Sequence, residues 1–413
     1  MKSWRDIDIT PLKKTELHPR LSLFNSKSGL KQAITEKSTY KMYVCGITPY
    51  DATHLGHAAT YLTFDLIHRY LRAQGAVVEY VQNITDIDDP LLERALRDGL
   101  DWQDLAHSQI DLFRGDMQDL RVLPPQNYIG AVEAIPLVVN AIEELQRRGA
   151  IYTIERDLYF ENSRESDFGA LSHLEQSEME KIFAERGGDP TLPGKVNTLD
   201  CLVWMAKREG EPGWPSSLGT GRPGWHIECT AIALEYLHPQ SADAELIDIQ
   251  GGGSDLIFPH HEMCRSQAMI LTGKELASHY VHAGMIGLDG EKMSKSKGNL
   301  VLVSELVKRG VDPMAIRLAL MFDHYRSDRM WSHDLLVRAE VTLSRLREAL
   351  SRESVFSTQE TITQILLALA DDLNTPLVIS LLENWIDQTL NGASGGDSDE
   401  LRDCLDSLLG LKL

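Results

Sequence analysis

The sequence predicts an α/β fold in which a parallel sheet carries an inserted subdomain and is followed by a C-terminal helical bundle. A β-rich segment at 40–44, an apolar-periodic stretch at 57–74 and a second β-rich segment at 77–82 form a strand–loop–helix–strand unit. Such units are typical of parallel sheets, because a crossover helix joins two parallel strands. Helices and strands alternate again over 225–286, and residues 303–413 show helical patterns only.

The helix of the first unit is predicted from its apolar spacing. Ala58, Leu62, Leu66 and Tyr70 recur every four residues and would line one helix face. A helix that begins directly after a strand and a loop exposes unpaired backbone N–H groups and the positive end of its dipole. The loop before His57 is therefore a predicted phosphate site.

The middle of the chain is interpreted as an insertion. Residues 91–149 are predicted to be helices broken at 123–125, residues 150–161 alternate like a strand hairpin, and residues 162–222 are predicted to be irregular. The predicted domains are the first half of the sheet domain (1–119), an inserted connective subdomain (120–200), the second half of the sheet domain (201–300), and a helical stem with a C-terminal bundle (301–413).

The second half of the sheet domain repeats the alternation. Helices are predicted at 225–237 and 260–271, and strands at 245–250 and 280–286. The helices after residue 303 are interrupted by a predicted loop at 392–396.

Composition narrows the class of protein. The chain has 413 residues, of which 43% are apolar and 25% charged, as in soluble globular proteins. The N-terminal segment lacks an apolar signal-peptide core, no stretch reaches the roughly 20 apolar residues of a membrane helix, and five cysteines are too few for a disulfide framework. We therefore expect a cytoplasmic protein with no membrane partner.

Charge argues against a nucleic-acid partner. The formal net charge is −20, from 41 basic and 61 acidic side chains. Residues 351–413 contain three basic side chains and eleven acidic ones. Proteins that hold polyanions usually present a basic face, so this segment is a poor candidate for binding RNA.

Two short segments predict a nucleotide-phosphate site. His54 and His57 stand at the start of the first helix, and Lys292 and Lys295 lie in a Lys/Ser-rich loop. Imidazole and ammonium groups can stabilise the negative charge that develops on an α-phosphate when ATP activates a carboxylate. Each segment alone is weak, since helix-capping histidines and solvated lysine loops are common, but their pairing favours the phosphate site.

A glycine-rich turn follows a predicted strand. Gly253, Ser254 and Asp255 end the run that begins at Gln250. Glycines allow a ligand to approach the backbone closely, and Asp255 can accept hydrogen bonds from ribose hydroxyls. A tight turn between a strand and a helix explains the same residues equally well.

Three separated residues form a possible metal site. Cys45, Cys229 and His260 each lie near the presumed nucleotide crevice, and zinc accepts such a set with one position left open. Buried free cysteines and a core histidine are the alternative. Cys264, four residues after His260, or His261 remains possible as a further ligand.

Taken together, these motifs resemble the cysteinyl-tRNA synthetases, which are class I enzymes. The resemblance covers roughly residues 20–340 and is carried by six segments: Tyr43–Gly46, His54–His57, Asn83–Asp89, Gly221–Cys229, Phe258–Glu262 and Lys292–Ser296. It implies a class I, Rossmann-like catalytic domain that activates cysteine with ATP.

Several details instead resemble a paralogous family, the cysteine:glucosaminyl-inositol ligases of mycothiol biosynthesis. Thr48–Thr53 replaces the usual first loop, Pro90 stands where the synthetases usually have Lys, and Gln250 where they usually have His. Cys264 occupies the place of a zinc-ligating Glu, and the segment Glu185–Pro190 is present. The similarity to this ligase family extends along the full chain.

The resemblance implies a two-step reaction. Cysteine and ATP, with Mg²⁺, give cysteinyl-adenylate and pyrophosphate, and the amine of glucosaminyl-inositol then displaces AMP to form an amide. It implies one Zn²⁺ per chain on Cys45, Cys229 and His260, and phosphate stabilisation by His54, His57, Lys292 and Lys295. The implied adenylate pocket is Cys45, Gly46, Ile47, Thr48, Thr60, Asn83, Ile84, Thr85, Trp225, Gly253, Ser254, Asp255 and Val281.

Some assignments stay open at this point. Trp225 can also be a core anchor, and Thr85 can simply cap a helix. We predict three protein ligands for the zinc, with substrate thiolate or water as the fourth. Asp86, Asp88 and Asp189 are candidates for contacting the sugar, and we expect a monomer.

Two other functions are weighed against the ligase. A shortened cysteinyl-tRNA synthetase would need a basic RNA-binding tail, against which residues 351–413 argue. A non-catalytic sensor of cysteine or its adenylate would tolerate loss of the His or Lys segment, yet both are intact.

Overall fold

The computed structural model describes residues 1–12, 19–50, 53–237, 244–288 and 300–413, together with the backbone of residues 291–292. The strands are β1 (Ser22–Asn25), β2 (Leu30–Ala33), β3 (Thr39–Val44), β4 (Val77–Ile84), β5 (Asn127–Gly130), β6 (Ile151–Ile154), β7 (Asp157–Phe160), β8 (Cys201–Ala206), β9 (Gly221–Pro223), β10 (Glu245–Gly253), β11 (Glu275–Ala283), β12 (Ile286–Leu288), β13 (Glu291–Lys292) and β14 (Arg329–Trp331).

The α-helices of the described residues are α1 (Leu55–Ala73), α2 (Asp89–Asp98), α3 (Trp102–Asp119), α4 (Ala131–Arg147), α5 (Gln176–Glu185), α6 (Trp225–Tyr236), α7 (Glu262–Thr272), α8 (Val303–Lys308), α9 (Pro313–Ala319), α10 (His333–Leu350), α11 (Thr358–Ala370), α12 (Thr375–Leu390) and α13 (Ser398–Leu409). A π-helical turn, Ile257–His261, leads into α7.

The central sheet has the strand order β11-β10-β3-β4-β5, and all its pairs are parallel. The predicted parallel sheet is therefore confirmed. Helix α1 crosses from β3 to β4 and buries its predicted face of Ala58, Leu62, Leu66 and Tyr70. This burial removes apolar surface from water and fixes where α1 begins relative to the ends of β3 and β10.

Four expectations about individual elements are wrong. Residues 91–149 are not helical throughout, because β5 joins the edge of the central sheet. Residues 162–222 contain α5, β8 and β9 and are not irregular. The last central strand begins at Glu275 and not at residue 280, and β14 interrupts the helices that follow residue 303. Most of these elements are short and are stabilised by pairing with strands that are distant in sequence. The spacing of apolar residues within a short segment does not predict such pairing.

A second sheet is antiparallel, with the order β6-β7-β8-β9. The predicted hairpin at 150–161 is its first pair, β6 and β7. The sheet packs with α4, α5 and α6 around Phe160, Trp204 and Ile227, all fully buried. This sheet runs from residue 151 to 223, and the domain limits at 120 and 200 stay predictions.

The C-terminal helices pack onto the central sheet domain. Residues of α10 to α13 share one apolar core with α1 and β3, in which Leu66, Leu346 and Trp385 are buried. Short strands β12 and β14 also pair. The chain that follows the Lys-rich loop therefore returns to the strand that directly precedes the loop. In the part of the chain that the structure describes, every helix is too short or too polar to cross a bilayer.

Candidate active site and metal centre

The candidate site lies at the carboxyl edge of the central sheet, where β3, β4 and β10 end. Parallel strands end on the same side, so the residues that follow them meet. Backbone N–H groups tie these ends together: Cys45 donates to Gly251 O at 3.0 Å, and Thr85 donates to Ile47 O at 3.1 Å. Gly46 N donates to Asn83 Oδ1 at 2.8 Å.

Gly46 is required by the close approach of two strand ends. A Cβ at this position would lie 1.7 Å from the Asn83 carbonyl oxygen. Any larger residue would push β3 away from β4. Gly251 is constrained similarly, because its Cβ would meet the Phe64 ring of α1 at 2.1 Å.

The three predicted metal ligands come together in space. Cys229 Sγ lies 3.9 Å from Cys45 Sγ and 3.2 Å from His260 Nε2. The three ligand atoms lie within 4.8 Å of one another, and all three residues are buried. A buried Cys–Cys–His set of this size can hold a metal ion.

Neighbouring rings fix the orientation of the candidate ligands. Trp225 stacks on His260 with centroids 4.3 Å apart, and His226 Nδ1 lies 2.9 Å from His260 Nδ1. On the other side, His261 Nε2 lies 3.2 Å from Cys45 Sγ, and its Nδ1 lies 2.8 Å from His282 Nε2. Such contacts set the position and the tautomer of metal-binding groups.

Cys264 stands next to this cluster but has a different partner. Its Sγ donates to the His226 carbonyl oxygen at 3.3 Å and lies 3.9 Å from His260 Nε2. It is not part of the compact set formed by Cys45, Cys229 and His260 among the described residues.

The electrostatics of the cluster favour a bound cation. Burial raises the pKa of Cys45 well above its usual range, and the neighbouring Cys229 adds to this shift. Burial also opposes ionisation of Cys229, but hydrogen bonding from Cys45 and the charge of His260 outweigh it and lower the pKa of Cys229. Although burial disfavours its cation, His260 has its pKa raised to about 10 by Cys264 and Cys229. The sulfurs thus attract positive charge, which is the environment that a metal ion would stabilise.

The two histidines at the start of α1 lie against each other. His54 caps the helix, since its Nδ1 accepts from Gly56 N at 3.1 Å, and its ring stacks on His57 at 3.9 Å. Burial, and then His54, lowers the pKa of His57 well below its usual value. His57 is therefore a neutral imidazole that can donate to, or accept from, a ligand.

The segment after the Lys-rich loop is tied directly to these histidines. Leu55 N donates to Val301 O at 2.9 Å, and Val303 N donates to Thr53 O at 3.2 Å, around the bridge between His54 and Leu302. Lys295 lies outside the described residues, and only the backbone of Lys292 is described, in β13. The structure thus brings the flank of the lysine loop to the histidines without placing the lysine side chains.

Most of the predicted pocket residues flank this edge. Thr60 Oγ1 donates to Gly56 O at 3.1 Å and lies near Gly253. A Cβ atom added at Gly253 would lie 2.5 Å from Asp255 Oδ1. Asn83 Nδ2 donates to Thr85 Oγ1 at 3.3 Å. Val281 pairs with Gly251 in the sheet and is fully buried. The residues predicted to line the pocket that follow strand ends are Cys45, Gly46, Ile47, Thr48, Thr85, Ser254 and Asp255, and Ile84 is the last residue of β4.

Three residues at the site were not singled out by sequence reasoning. His226 and His282 support the candidate ligands, and Glu228 is 1% exposed in α6 beside Cys229. A signal was present, because ionisable side chains within apolar helices and strands are rarely buried without a function.

The amino-acid sequence is similar to those of known enzymes. The family model described as "tRNA synthetases class I (C) catalytic domain" matches residues 31–341. An L-cysteine:1D-myo-inositol 2-amino-2-deoxy-alpha-D-glucopyranoside ligase of Nocardia farcinica is 50% identical over 420 residues, covering 100% of both chains. A protein with the same name from Saccharomonospora viridis is 51% identical over 423 residues, again covering 100% of both chains.

Solved structures show the same fold at lower identity. The methionyl-tRNA synthetase of Mycobacterium tuberculosis, solved in complex with methionyl-adenylate, superposes with a TM-score of 0.63 at 17% identity. The superposition covers 90% of this chain and 88% of that one. The predicted class I α/β fold is thereby confirmed.

Proposed function

Since the chain belongs to the L-cysteine:1D-myo-inositol 2-amino-2-deoxy-alpha-D-glucopyranoside ligases within the class I (C) tRNA synthetase family, we propose that it joins L-cysteine to the amine of glucosaminyl-inositol at the expense of ATP. The enzyme is an acid–amine ligase of mycothiol biosynthesis. It forms an amide and releases AMP and pyrophosphate.

The observation that carries this proposal is the buried Cys45–Cys229–His260 cluster at the end of β3. A cysteine-using enzyme must tell its substrate from serine, and the two differ only in sulfur against oxygen. These residues would hold one Zn²⁺ ion per chain, which when bound would take the substrate thiolate at its remaining position. Recognition of sulfur would then make editing of a wrong amino acid unnecessary.

The carboxylate of the bound cysteine would face the strand ends. Gly46 and Gly253 lack side chains there, so ATP can approach the backbone. His54 and His57 lie at the N-terminus of α1, where free N–H groups also point. They, with Lys292 and Lys295 and an ATP-bound Mg²⁺, would stabilise the charge that develops on the α-phosphate as cysteinyl-adenylate forms.

The acceptor is proposed to be a small amine and not a tRNA. Residues 351–413 carry eleven acidic and three basic side chains, which repels a polyanion. We further propose that the enzyme works as a monomer in the cytoplasm, where cysteine thiols stay reduced.

The deciding experiment supplies the purified protein with cysteine and ATP, and with either glucosaminyl-inositol or cysteine-specific tRNA. Mass spectrometry then identifies the cysteinylated product. We expect the sugar amide and no aminoacyl-tRNA. Aminoacyl-tRNA would instead support a shortened cysteinyl-tRNA synthetase, and adenylate formation with neither product would point to another amine.

A further inference from the structure

The second step of the proposed reaction needs a group that binds the amine of the acceptor. The three carboxylates predicted to contact the sugar differ in how many of their oxygen atoms are already hydrogen-bonded within the protein. Asp86 is already used: its Oδ1 accepts from Val132 N at 2.9 Å at the N-terminus of α4. Asp189 is on the surface and accepts from Thr191 N at 2.9 Å and from Thr191 Oγ1 at 2.8 Å. Asp86 therefore stabilises the first turn of α4, and Asp189 stabilises a local turn.

Asp88 is different, because it keeps most of its hydrogen-bonding capacity. It is the N-cap of α2, and one carboxylate oxygen accepts from Asp89 N at 2.8 Å. Within the described residues its other oxygen has no hydrogen-bond donor. The adjacent Asp89 pairs with Arg222, which stands just before α6, so the start of α2 lies beside the helix that carries Cys229.

The positive charge next to Asp88, that of Arg222, is already paired with two other carboxylates. Arg222, which is 4% exposed, pairs with Asp89 and lies 3.4 Å from Glu211 at its Nη2. A cation shared between two other carboxylates compensates Asp88 only in part. Although Arg222 and His260 oppose it, burial raises the pKa of Asp88 to about 6.

A second, independent feature is the buried carboxyl group of Glu228. Glu228 is 1% exposed, and its Oε2 has no hydrogen-bond partner among the described residues. Glu228 lies on α6 directly before Cys229, and the charge of Asp88 acts on it. A buried polar atom without a partner costs free energy unless a ligand supplies one.

An ammonium group matches these two carboxyl groups. It offers three donors and one positive charge, and a sugar or cyclitol hydroxyl would not compensate the charge. The metal cluster would hold the cysteine beside His260, so an amine held at Asp88 would lie near the acyl group that it must attack.

We propose that Asp88 binds the ammonium group of the acceptor and takes its proton, with Glu228 Oε2 as a second acceptor. This inference rests on the proposed ligase function and assigns the amine subsite within it. As the amine nitrogen forms its bond to the acyl carbon, the bond from that carbon to the phosphate oxygen breaks. AMP leaves with the electron pair. The nitrogen gives up two protons in all: the Asp88 carboxylate takes the first from the ammonium group before the attack, which frees the lone pair, and passes it to water, and the second leaves to water as the amide forms.

The test is the variant Asp88→Asn, which keeps the shape and the helix-capping ability of the side chain. Two reactions are measured: cysteine-dependent exchange of pyrophosphate into ATP, which reports adenylate formation, and ligation to glucosaminyl-inositol. We expect exchange within about twofold of the unmodified enzyme and a fall of roughly 10²-fold or more in kcat/KM for the sugar amine. Asp88→Glu should restore part of the ligation.

Asp101→Asn is the matched control. Asp101 caps the next helix, α3, and accepts from Gln103 N at 2.9 Å. It is exposed and outside the site, so this variant should leave both reactions unchanged. A purely structural role of Asp88 would lower both reactions together, and that result would overturn the proposal.

An acceptor without an ammonium group separates charge recognition from shape. N-acetylated glucosaminyl-inositol should inhibit the unmodified enzyme and Asp88→Asn with the same inhibition constant. A large increase of that constant in the variant would show that Asp88 contacts another part of the sugar, contrary to the proposal. Absence of pyrophosphate exchange in the unmodified enzyme would overturn the ligase function itself, and this inference with it.

Discussion

At the scale of single residues, Cys264 bears on the composition of the candidate metal centre. It stands one helical turn after His260, yet its thiol donates to the His226 carbonyl at 3.3 Å. Cys45 and Cys229 by contrast lie with His260 in one compact set. The Cys264 thiol would lose its hydrogen bond to the backbone if it rotated to coordinate a metal ion. We therefore predict three protein ligands.

X-ray absorption on the zinc-loaded enzyme tests this arrangement. We expect two sulfurs around zinc without cysteine and three with cysteine bound, because the substrate thiolate fills the open position. Cys264→Ser should leave both spectra unchanged. Three sulfurs in the cysteine-free enzyme, one of them lost in Cys264→Ser, would instead make Cys264 a ligand.

Asp116 on α3 gives the protein a pH-dependent stability. It is 2% exposed, and burial raises its pKa to about 7, with Asp119 adding to the shift. The usual pKa is 3.8. Between these values the folded protein binds a proton that the unfolded chain releases, so this group lowers stability as pH rises from about 4 to 7.

Asp116→Asn should therefore stabilise the protein at pH 8 and have little effect near pH 4. We expect a gain on the order of 1–3 kcal/mol in the free energy of unfolding at pH 8, measured by urea denaturation across this pH range. Asp111→Asn on the same helix is the control, since the Asp111 side chain is 74% exposed. Stability curves of Asp116→Asn and the unmodified protein that stay parallel from pH 4 to 8 would contradict the prediction.

At the scale of elements, a buried charge network joins α1, α9 and α13. Asp65 pairs with Arg69 at 2.8 Å and with Arg317, and none of the three side chains is exposed. The arginines also satisfy carbonyl groups at the end of α13: Arg69 Nη1 donates to Asp406 O at 2.8 Å, and Arg317 Nε donates to Leu409 O at 2.5 Å. Burial opposes ionisation of Asp65, but the two arginines outweigh it and lower the pKa of Asp65.

Arg317→Met should destabilise the protein by about 3–5 kcal/mol, because the buried Asp65 loses one of its two arginines and the carbonyls of Leu120 and Leu409 lose their donor. Denaturant unfolding measures the loss, and amide hydrogen exchange should show α13 becoming less protected. Arg345→Met removes an exposed pair with Asp387 and should cost under about 1 kcal/mol. Equal losses in the two variants would mean that the network does not hold α13 in place.

Elements were predictable to different degrees for a physical reason. Helix α1 shows an apolar face over five turns, so its period alone indicated it. Strands β5 and β14 have four and three residues and contain no detectable period. They exist because β4 and β12 offer them hydrogen bonds, and that information is not local.

At the scale of the whole molecule, the C-terminal helices complete the sheet domain. Trp385 of α12 and Leu408 of α13 belong to the same apolar core as Tyr70 of α1. Together with the network of Asp65, Arg69 and Arg317, this core holds the acidic C-terminal helices against α1, whose first turn carries His57. Their negative charge therefore lies next to the sheet domain, which supports the proposal of a small acceptor over a polyanion.

The sequence alone determined the fold class, and it predicted the pairing of the histidine and lysine segments and the three candidate ligands. These depend on local period and on residue chemistry, which the order of amino acids carries directly. Tertiary structure decided that Cys45, Cys229 and His260 meet, that Cys264 bonds to His226, and that one Asp88 oxygen has no hydrogen-bond donor among the residues described. Distances between segments more than a hundred residues apart depend on how strands align and helices pack, and no local pattern contains them.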